Sequence, residues 1–207
     1  MTGLPVLNRL RCSFVLTFSL TLGLLAATAI GASELKWALA HRDAKLSLEG
    51  VGNFGRVNER LYRGAQPTPE GFARLRELGI DTVVRLSTGG EEASEAERAI
   101  VEPLGMQFVN LPWSAVHDPK PDQIAEFLAL MRDHPERTVF VHCKAGADRT
   151  GTFIALYRIV LDSWAPAEAV HEMKAFRYRY PFLPHLQEYV EAFAAAEPYF
   201  SRRTAFN

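Results

Sequence analysis

Cysteine is nearly absent from this chain. Two of 207 residues are cysteine, Cys12 and Cys143, too few for a disulfide-built scaffold or for a zinc site of four thiolates. Net charge is nearly absent as well. The 23 basic residues stand against 24 acidic ones, which leaves no basic surplus for a nucleic-acid binder. His41, His134, His171 and His185 are scattered without metal-ligand spacing. No internal repeat and no low-complexity segment interrupts the chain. What is abundant is apolar side chains, 48% of the total, too many for a disordered chain and enough for one core. The length suits one domain with an appendage.

The appendage is N-terminal. Arg9 and Arg11 precede an uncharged, apolar run from Cys12 to Ser33, and Ala27-Thr28-Ala29 offers the small-x-small pattern of a cleavage site. Two readings of residues 1–32 stand side by side: a cleaved signal peptide, or an uncleaved anchor about 20 residues long. In both, Arg9 and Arg11 stay cytoplasmic and the chain from about residue 34 lies across the membrane. Cleavage would remove Cys12 and leave Cys143 as the only thiol, with no intramolecular disulfide open to it. Residues 33–207 form the domain, with a core at about 54–196.

Within it, residues 34–60 read as an irregular lead-in. Leu61–Arg63 is a strand candidate, followed by a turn at Gly64–Pro67. Thr68 is placed to cap a helix over Pro69–Leu78, with Pro69 at its first position and Gly79 as its stop. Ile80–Leu86 is a buried strand, Glu91–Val101 an acidic surface helix, and Met106–Leu111 a third strand. Trp113–Pro121 is a proline-stiffened loop. Asp122–Arg132 is an amphipathic helix, Thr138–Val141 a short strand, and Thr150–Leu161 a helix apolar almost all round, hence central. Pro166–Phe176 and His185–Ala196 are the last helices. Alternating strands and helices predict an α/β fold: a mainly parallel central sheet flanked by helices.

The chemistry concentrates in Val141-His142-Cys143-Lys144-Ala145-Gly146-Ala147-Asp148-Arg149-Thr150-Gly151. A loop at the carboxyl end of a strand that opens a helix presents backbone N–H groups and a positive dipole end, which suits an anion. Lys144, Ala145, Gly146, Ala147, Asp148 and Arg149 supply the amides, and the Arg149 fork matches two phosphate oxygens. The same positive surroundings favour the thiolate of Cys143. A nucleophile beside a bound phosphate follows.

Residues 142–151 resemble the signature loop of the cysteine-dependent protein tyrosine phosphatase superfamily, His-Cys-x5-Arg-Ser/Thr, and resemble its dual-specificity branch most. Leu61–Pro67 with the following helix and strand is similar to the start of the bacterial members. Tyr157-Arg-Ile-Val, Trp164 and Glu168–Met173 are similar to secreted bacterial tyrosine phosphatases. The resemblance implies a dual-specificity-phosphatase-like fold and a hydrolase of phosphomonoesters, acting on phosphotyrosine proteins and possessing no metal or other cofactor. It also implies roles. Cys143 attacks phosphorus, Arg149 and the loop amides hold the oxygens, Thr150 bonds the departing sulfur, and His142 orients the loop and tunes the thiol. Family members take a proton donor from an upstream Asp. Asp118 is the choice here, although its spacing of 25 residues from Cys143 is shorter than usual. Asp122, which looks like a helix N-cap, and His117 are rivals.

Several readings stay open. Lys144 is also found in phosphoinositide phosphatases, so an inositol-phosphate substrate is an alternative. A phosphate-binding module without turnover is another. Rhodanese-like proteins lack the Gly-x-x-Arg-Thr-Gly run. Asp148 opposes a polyanion and is placed to orient the loop or Arg63. Arg177-Tyr-Arg-Tyr180 either contacts a second phosphate or forms a solvated face. The expected protein is an exported, periplasmic monomer that binds no nucleic acid.

Overall fold

The computed structural model describes residues 44–203, with side chains described up to Phe193. The expectations for residues 1–32 lie outside the described residues. Among the described residues no helix is long and apolar enough to cross a membrane.

Five strands form one sheet in the order β1-β2-β5-β3-β4. They are β1 (Gly55–Arg56), β2 (Leu61–Ala65), β3 (Thr82–Arg85), β4 (Gln107–Asn110) and β5 (Val139–Cys143). Only β1 is antiparallel to its neighbour; β2, β3, β4 and β5 run parallel. The expected α/β architecture is therefore present. The lead-in is less irregular than its composition suggests. Isolated bridges join Lys45 to Gly55 and Leu48 to Val51, and Gly55–Arg56 pairs with Tyr62–Arg63. A two-residue strand leaves no alternation to read, which is why the pattern hid it.

The helices are α1 (Pro69–Glu77), α2 (Gly90–Val101), α3 (Pro121–Asp133), α4 (Asp148–Val160), α5 (Pro166–Ala175) and α6 (Pro184–Arg203). Thr68 caps α1 by accepting a hydrogen bond from the Gly71 N–H at 3.1 Å. At α3 the expectation fails. The chain turns helical at Pro121, so Asp122 stands inside the first turn and the cap position falls to Lys120. Pro121 dictates this, because its fixed φ suits the first helical residue and its missing N–H costs nothing there. The Gln123 side chain closes the turn by accepting from the Lys120 N–H at 3.4 Å.

Two apolar layers cover the sheet. On one face Phe72 and Leu75 of α1 and Val101 of α2 pack on Val83, Phe108 and Phe140. On the other, Phe127, Leu128 and Met131 of α3 meet Phe153 and Ile154 of α4, over Val84, Val139 and Val141. Each such side chain, fully buried, contributes roughly 1.5–3 kcal/mol. Helix α4 is buried from Thr150 to Ile159, as its all-round apolar sequence predicts. A buried ion pair pins it to α5: Arg158 Nε donates to Glu172 Oε2 at 3.1 Å, and Nη2 to Oε1 at 3.2 Å. Arg158 also donates to the Val57 carbonyl at 2.8 Å, which ties the lead-in to the same pair.

Strand β5 sits between β2 and β3, with Ala65 opposite Cys143 and Arg85 opposite His142. Three parallel carboxyl ends thus converge on residues 143–148, the edge where open α/β sheets bind ligands.

Candidate active site

The loop after β5 is held from behind by its carbonyls. Lys144 O accepts from the Gln66 backbone N–H at 3.3 Å. Ala145 O and Gly146 O both accept from Asn53 Nδ2, at 3.4 and 2.9 Å. Gly146 O also accepts from Arg63 Nη2 at 3.2 Å. A trans peptide points its N–H opposite its C=O. The amides of Ala145, Gly146 and Ala147 are therefore turned the other way, toward the cavity. Gly146 has φ +65°, and a Cβ there would collide with the Gly64 and Ala65 backbone. Only glycine fits that approach.

Asn53, and the part Arg63 plays in bracing the loop, are what sequence reasoning missed. Arg63 is fully buried and its guanidinium lies 3.9 Å from the Phe176 ring centre. Burial pushes it down to about 10, against the opposing pull of Glu172 and Cys143. Its Nε and Nη1 have no hydrogen-bond partner among the described residues. Asn53 sits at φ +49°, a region asparagine enters more easily than most residues. In the sequence, an asparagine set among Gly50, Gly52 and Gly55 was the one available signal.

A cleft of about 670 Å³ opens over the loop. Its walls are Cys143, Lys144, Ala145, Ala147, Asp148 and Arg149, together with Ala115, Arg177 and Arg179. Cys143 is 2% exposed and lies at the strand end, with the α4 N-terminus just beyond. Arg149 Nη1 donates to the Leu86 carbonyl at 3.4 Å, which steadies its fork beside the loop. Thr150 Oγ1 is buried without a hydrogen-bond partner among the described residues. Among those residues no group of three or more His, Cys, Asp or Glu is placed to hold a metal ion.

Asp148 does not orient Arg63. Its carboxylate binds Arg179, through the backbone N–H at 3.0 Å, Nε at 2.9 Å and Nη2 at 2.6 Å. Asp118 is exposed and is not among the cleft's walls. Its charge is felt instead on α6. Tyr189 is pushed up to about 12, first by burial and then by Asp118. The loop bearing it is fixed at two points: Pro112 O accepts from Gln123 Nε2 at 2.7 Å, and Ala115 O lies 3.0 Å from His185 Nε2. His117 and Asp122 are exposed and are not among the walls either.

The family model described as DSP-PTPase phosphatase fused to NAD+ Kinase matches residues 47–180. The chain belongs to this dual-specificity-type protein tyrosine phosphatase family. The dual specificity protein phosphatase TpbA of Pseudomonas aeruginosa is 34% identical over 126 residues, which cover 59% of this chain and 53% of TpbA. The inositol diphosphatase DSP3 of Arabidopsis thaliana is 26% identical over 124 residues, covering 58% and 60%. The chain thus spans little more than half the length of these curated relatives. The crystal structure of Pseudomonas aeruginosa TpbA in complex with pTyr superimposes with a TM-score of 0.65 at 25% identity, covering 80% of this chain and 98% of that one.

In this phosphatase-family chain His142 does not act on the loop directly. Side chains alternate along a strand, so His142 points to the face opposite Cys143. Its ring lies 5.5 Å from that of Phe140 and edge-on to Phe72. His142 Nε2 is 2.7 Å from Glu97 Oε1. Glu97 Oε2 accepts from Gln66 Nε2 at 2.9 Å and Arg85 Nε at 3.1 Å. Helix α2 is therefore not wholly a surface helix. Ser94, Glu97 and Val101 are buried, and the helical repeat that puts Glu97 beside Val101 and Ser94 could have revealed it.

Burial raises the Glu97 carboxyl, but its bond to His142 and the charges of His142 and Arg85, with Gln66, hold it below the usual glutamate range. A carboxylate lowered on folding contributes stability above the unfolded range and loses it as pH falls through the lowered value. Glu97→Gln should therefore cost about 2 kcal/mol at neutral pH, shrinking as the pH drops below about 4. Urea unfolding across pH checks this; an equal loss at pH 3 and pH 7 contradicts it.

Proposed function

We propose that this chain is a phosphomonoester hydrolase that works through a cysteinyl-phosphate, with phosphotyrosine in proteins as its substrate. The observation that carries this reading is the fully turned loop: three carbonyls tied back around one buried cysteine, with Arg149 at its rim. TpbA's designation as a dual specificity phosphatase and its complex with pTyr support it.

The residues divide the work. In the first step Cys143 Sγ attacks phosphorus and the phosphorus–oxygen bond of the ester breaks. Arg149 and the amides of residues 144–149 hold the equatorial oxygens as charge redistributes, and those of Ala145, Gly146 and Ala147 are already oriented before the substrate arrives. Asp118 gives its proton to the departing phenol oxygen. For this the part of the loop beyond the Ala115 anchor, residues 116–120, swings Asp118 toward the cleft, a motion of the kind that closes many active sites. In the second step water attacks phosphorus and the sulfur leaves as thiolate. Thr150 Oγ1, which has no other hydrogen-bond partner among the described residues, donates to that sulfur. Deprotonated Asp118 accepts the water's proton. Inorganic phosphate then departs.

The DSP3 relative keeps a second reading in view, an inositol-phosphate substrate, and Lys144 at the rim is the feature that favours it. We also place the domain outside the cytoplasm, on the strength of Arg9, Arg11 and the apolar run that follows.

Cys143→Ser should reduce hydrolysis of para-nitrophenyl phosphate to background while the thermal unfolding midpoint stays close to that of the parent. Retained turnover would refute the nucleophile. Asp118→Asn should slow hydrolysis of phenyl phosphate by about a hundredfold and of para-nitrophenyl phosphate much less, because the better leaving group needs less protonation. Equal effects on both would reassign the acid. Cell fractionation should recover the protein with the periplasm or inner membrane; recovery in the soluble cytosol would contradict export.

A further inference from the structure

The cleft carries more positive charge than one phosphoryl group needs. Arg149 and the amides already serve that group. Lys144, Arg177 and Arg179 add three further cations to the walls, against the single carboxylate of Asp148. Arg177 and Arg179 lie on the segment after α5, and Arg179 is joined directly to Asp148 at the α4 N-terminus.

Both are built into place. Arg177 follows the C-terminus of α5 at φ +66°, with its N–H on the Lys174 carbonyl at 3.1 Å and the Tyr178 N–H on Met173 at 3.1 Å. Helices commonly end with glycine or asparagine in that left-handed position. An arginine there carries a backbone penalty that glycine would avoid. The fold tolerates this, and the result is a guanidinium at the cleft. Tyr178 between the two arginines points inward. It is buried, its hydroxyl donates to the Leu183 carbonyl and accepts from the Gln187 N–H at 3.1 Å. Arg177 and Arg179 are both exposed and both line the cleft.

Arg179 is held by Asp148, which is 6% exposed at its side chain and belongs to the first turn of α4. That carboxylate takes the Nε–Nη2 edge of the guanidinium, leaving Nη1 for another anion. Arg179 is also close enough to Cys143 to respond to its charge. Its guanidinium is held above its ordinary value, first by the bonds and charge of Asp148 and then by its nearness to Cys143. Asp148 thus serves as the bracket that carries a cation to the edge of the phosphate site.

We propose that Arg177 and Arg179 form a second anion subsite, and that the preferred substrate bears a second anionic group next to the phosphoryl group it loses. This rests on the phosphatase reading above and specifies its substrate. On a phosphotyrosine protein the group is an aspartate or glutamate adjacent in sequence; on a small phosphorylated polyol it is a neighbouring phosphate. Either is a point of added affinity that a lone aryl phosphate lacks.

The test compares kcat/KM within two pairs. One is a phosphotyrosine peptide flanked by glutamates against the same peptide flanked by glutamines. The other is an inositol bisphosphate with adjacent phosphates against an inositol monophosphate. The parent chain should prefer the doubly anionic member of at least one pair by about fivefold, the size of one to two exposed ion pairs. Whichever pair shows it names the source of the second anion. In Arg177→Gly the preference should fall toward one. Glycine relieves the left-handed backbone there, so the unfolding midpoint should hold or rise. Arg179→Gln, which keeps a donor for Asp148, should lower it in the same direction. Equal rates within both pairs for the parent, or a preference that survives both variants, overturns the subsite while leaving the phosphatase reading intact. Failure of the parent to hydrolyse any of the four, and para-nitrophenyl phosphate as well, overturns the phosphatase reading itself.

Discussion

An anion cradle made of backbone has one requirement that governs everything around it: the carbonyls must be held away from the anion. Each peptide in residues 144–147 carries an acceptor as strong as its donor. Left free, those acceptors would face the cleft as readily as the amides do. Here Gln66, Asn53 and Arg63 hold them down. All three come from the β1–β2 region and the segments beside it, so the antiparallel edge of the sheet exists in the service of the loop. Gly146 completes the arrangement by lying directly on the backbone of Gly64 and Ala65, where any side chain would intrude.

The same dependence organises the second tier. Arg63 is buried, and burial lowers a guanidinium's hold on its proton. It is tolerated because Phe176 covers its face and Glu172 lies near. Glu172 is itself shared with Arg158, which reaches Val57 in the lead-in. Behind the other end of the loop, Glu97 joins His142 of β5, Arg85 of β3 and Gln66 after β2. Two buried polar networks thus brace the loop, one on each face of the sheet. Removing one member of either leaves a desolvated charge, which costs more than the pair contributes. The active-site loop and the stability of the domain are therefore linked.

What could be read from the sequence and what could not divide along contact range. The nucleophile, the arginine and the glycine lie within ten residues, and their spacing was legible because strand, loop and helix follow one another locally. Helix α4 was legible as central because it is apolar on every side. Thr68 was legible as a cap because the hydroxyl it needs is three residues from the N–H it satisfies. The supporting residues were not. Asn53 and Arg63 reach the loop across 93 and 83 residues, and Glu97 reaches His142 across 45. The helical repeat places Glu97 on the face of Ser94 and Val101, but it does not name the distant His142 that Glu97 meets. Asp118 shows the reverse limit. A role was assigned to it by likeness, and the fold leaves it exposed beyond the cleft wall, so its part in chemistry depends on a loop position and not on residue type alone.

The central claim is that Cys143 carries the phosphoryl group between two steps. Rapid acid quench of the enzyme during turnover of an aryl phosphate, followed by peptide mapping by mass spectrometry, tests it most directly. The account predicts one added phosphoryl group on the peptide containing Cys143, localised to its sulfur and lost once substrate is exhausted. Steady turnover with that peptide unmodified at every quench time, or with the phosphoryl group on another side chain, would contradict it.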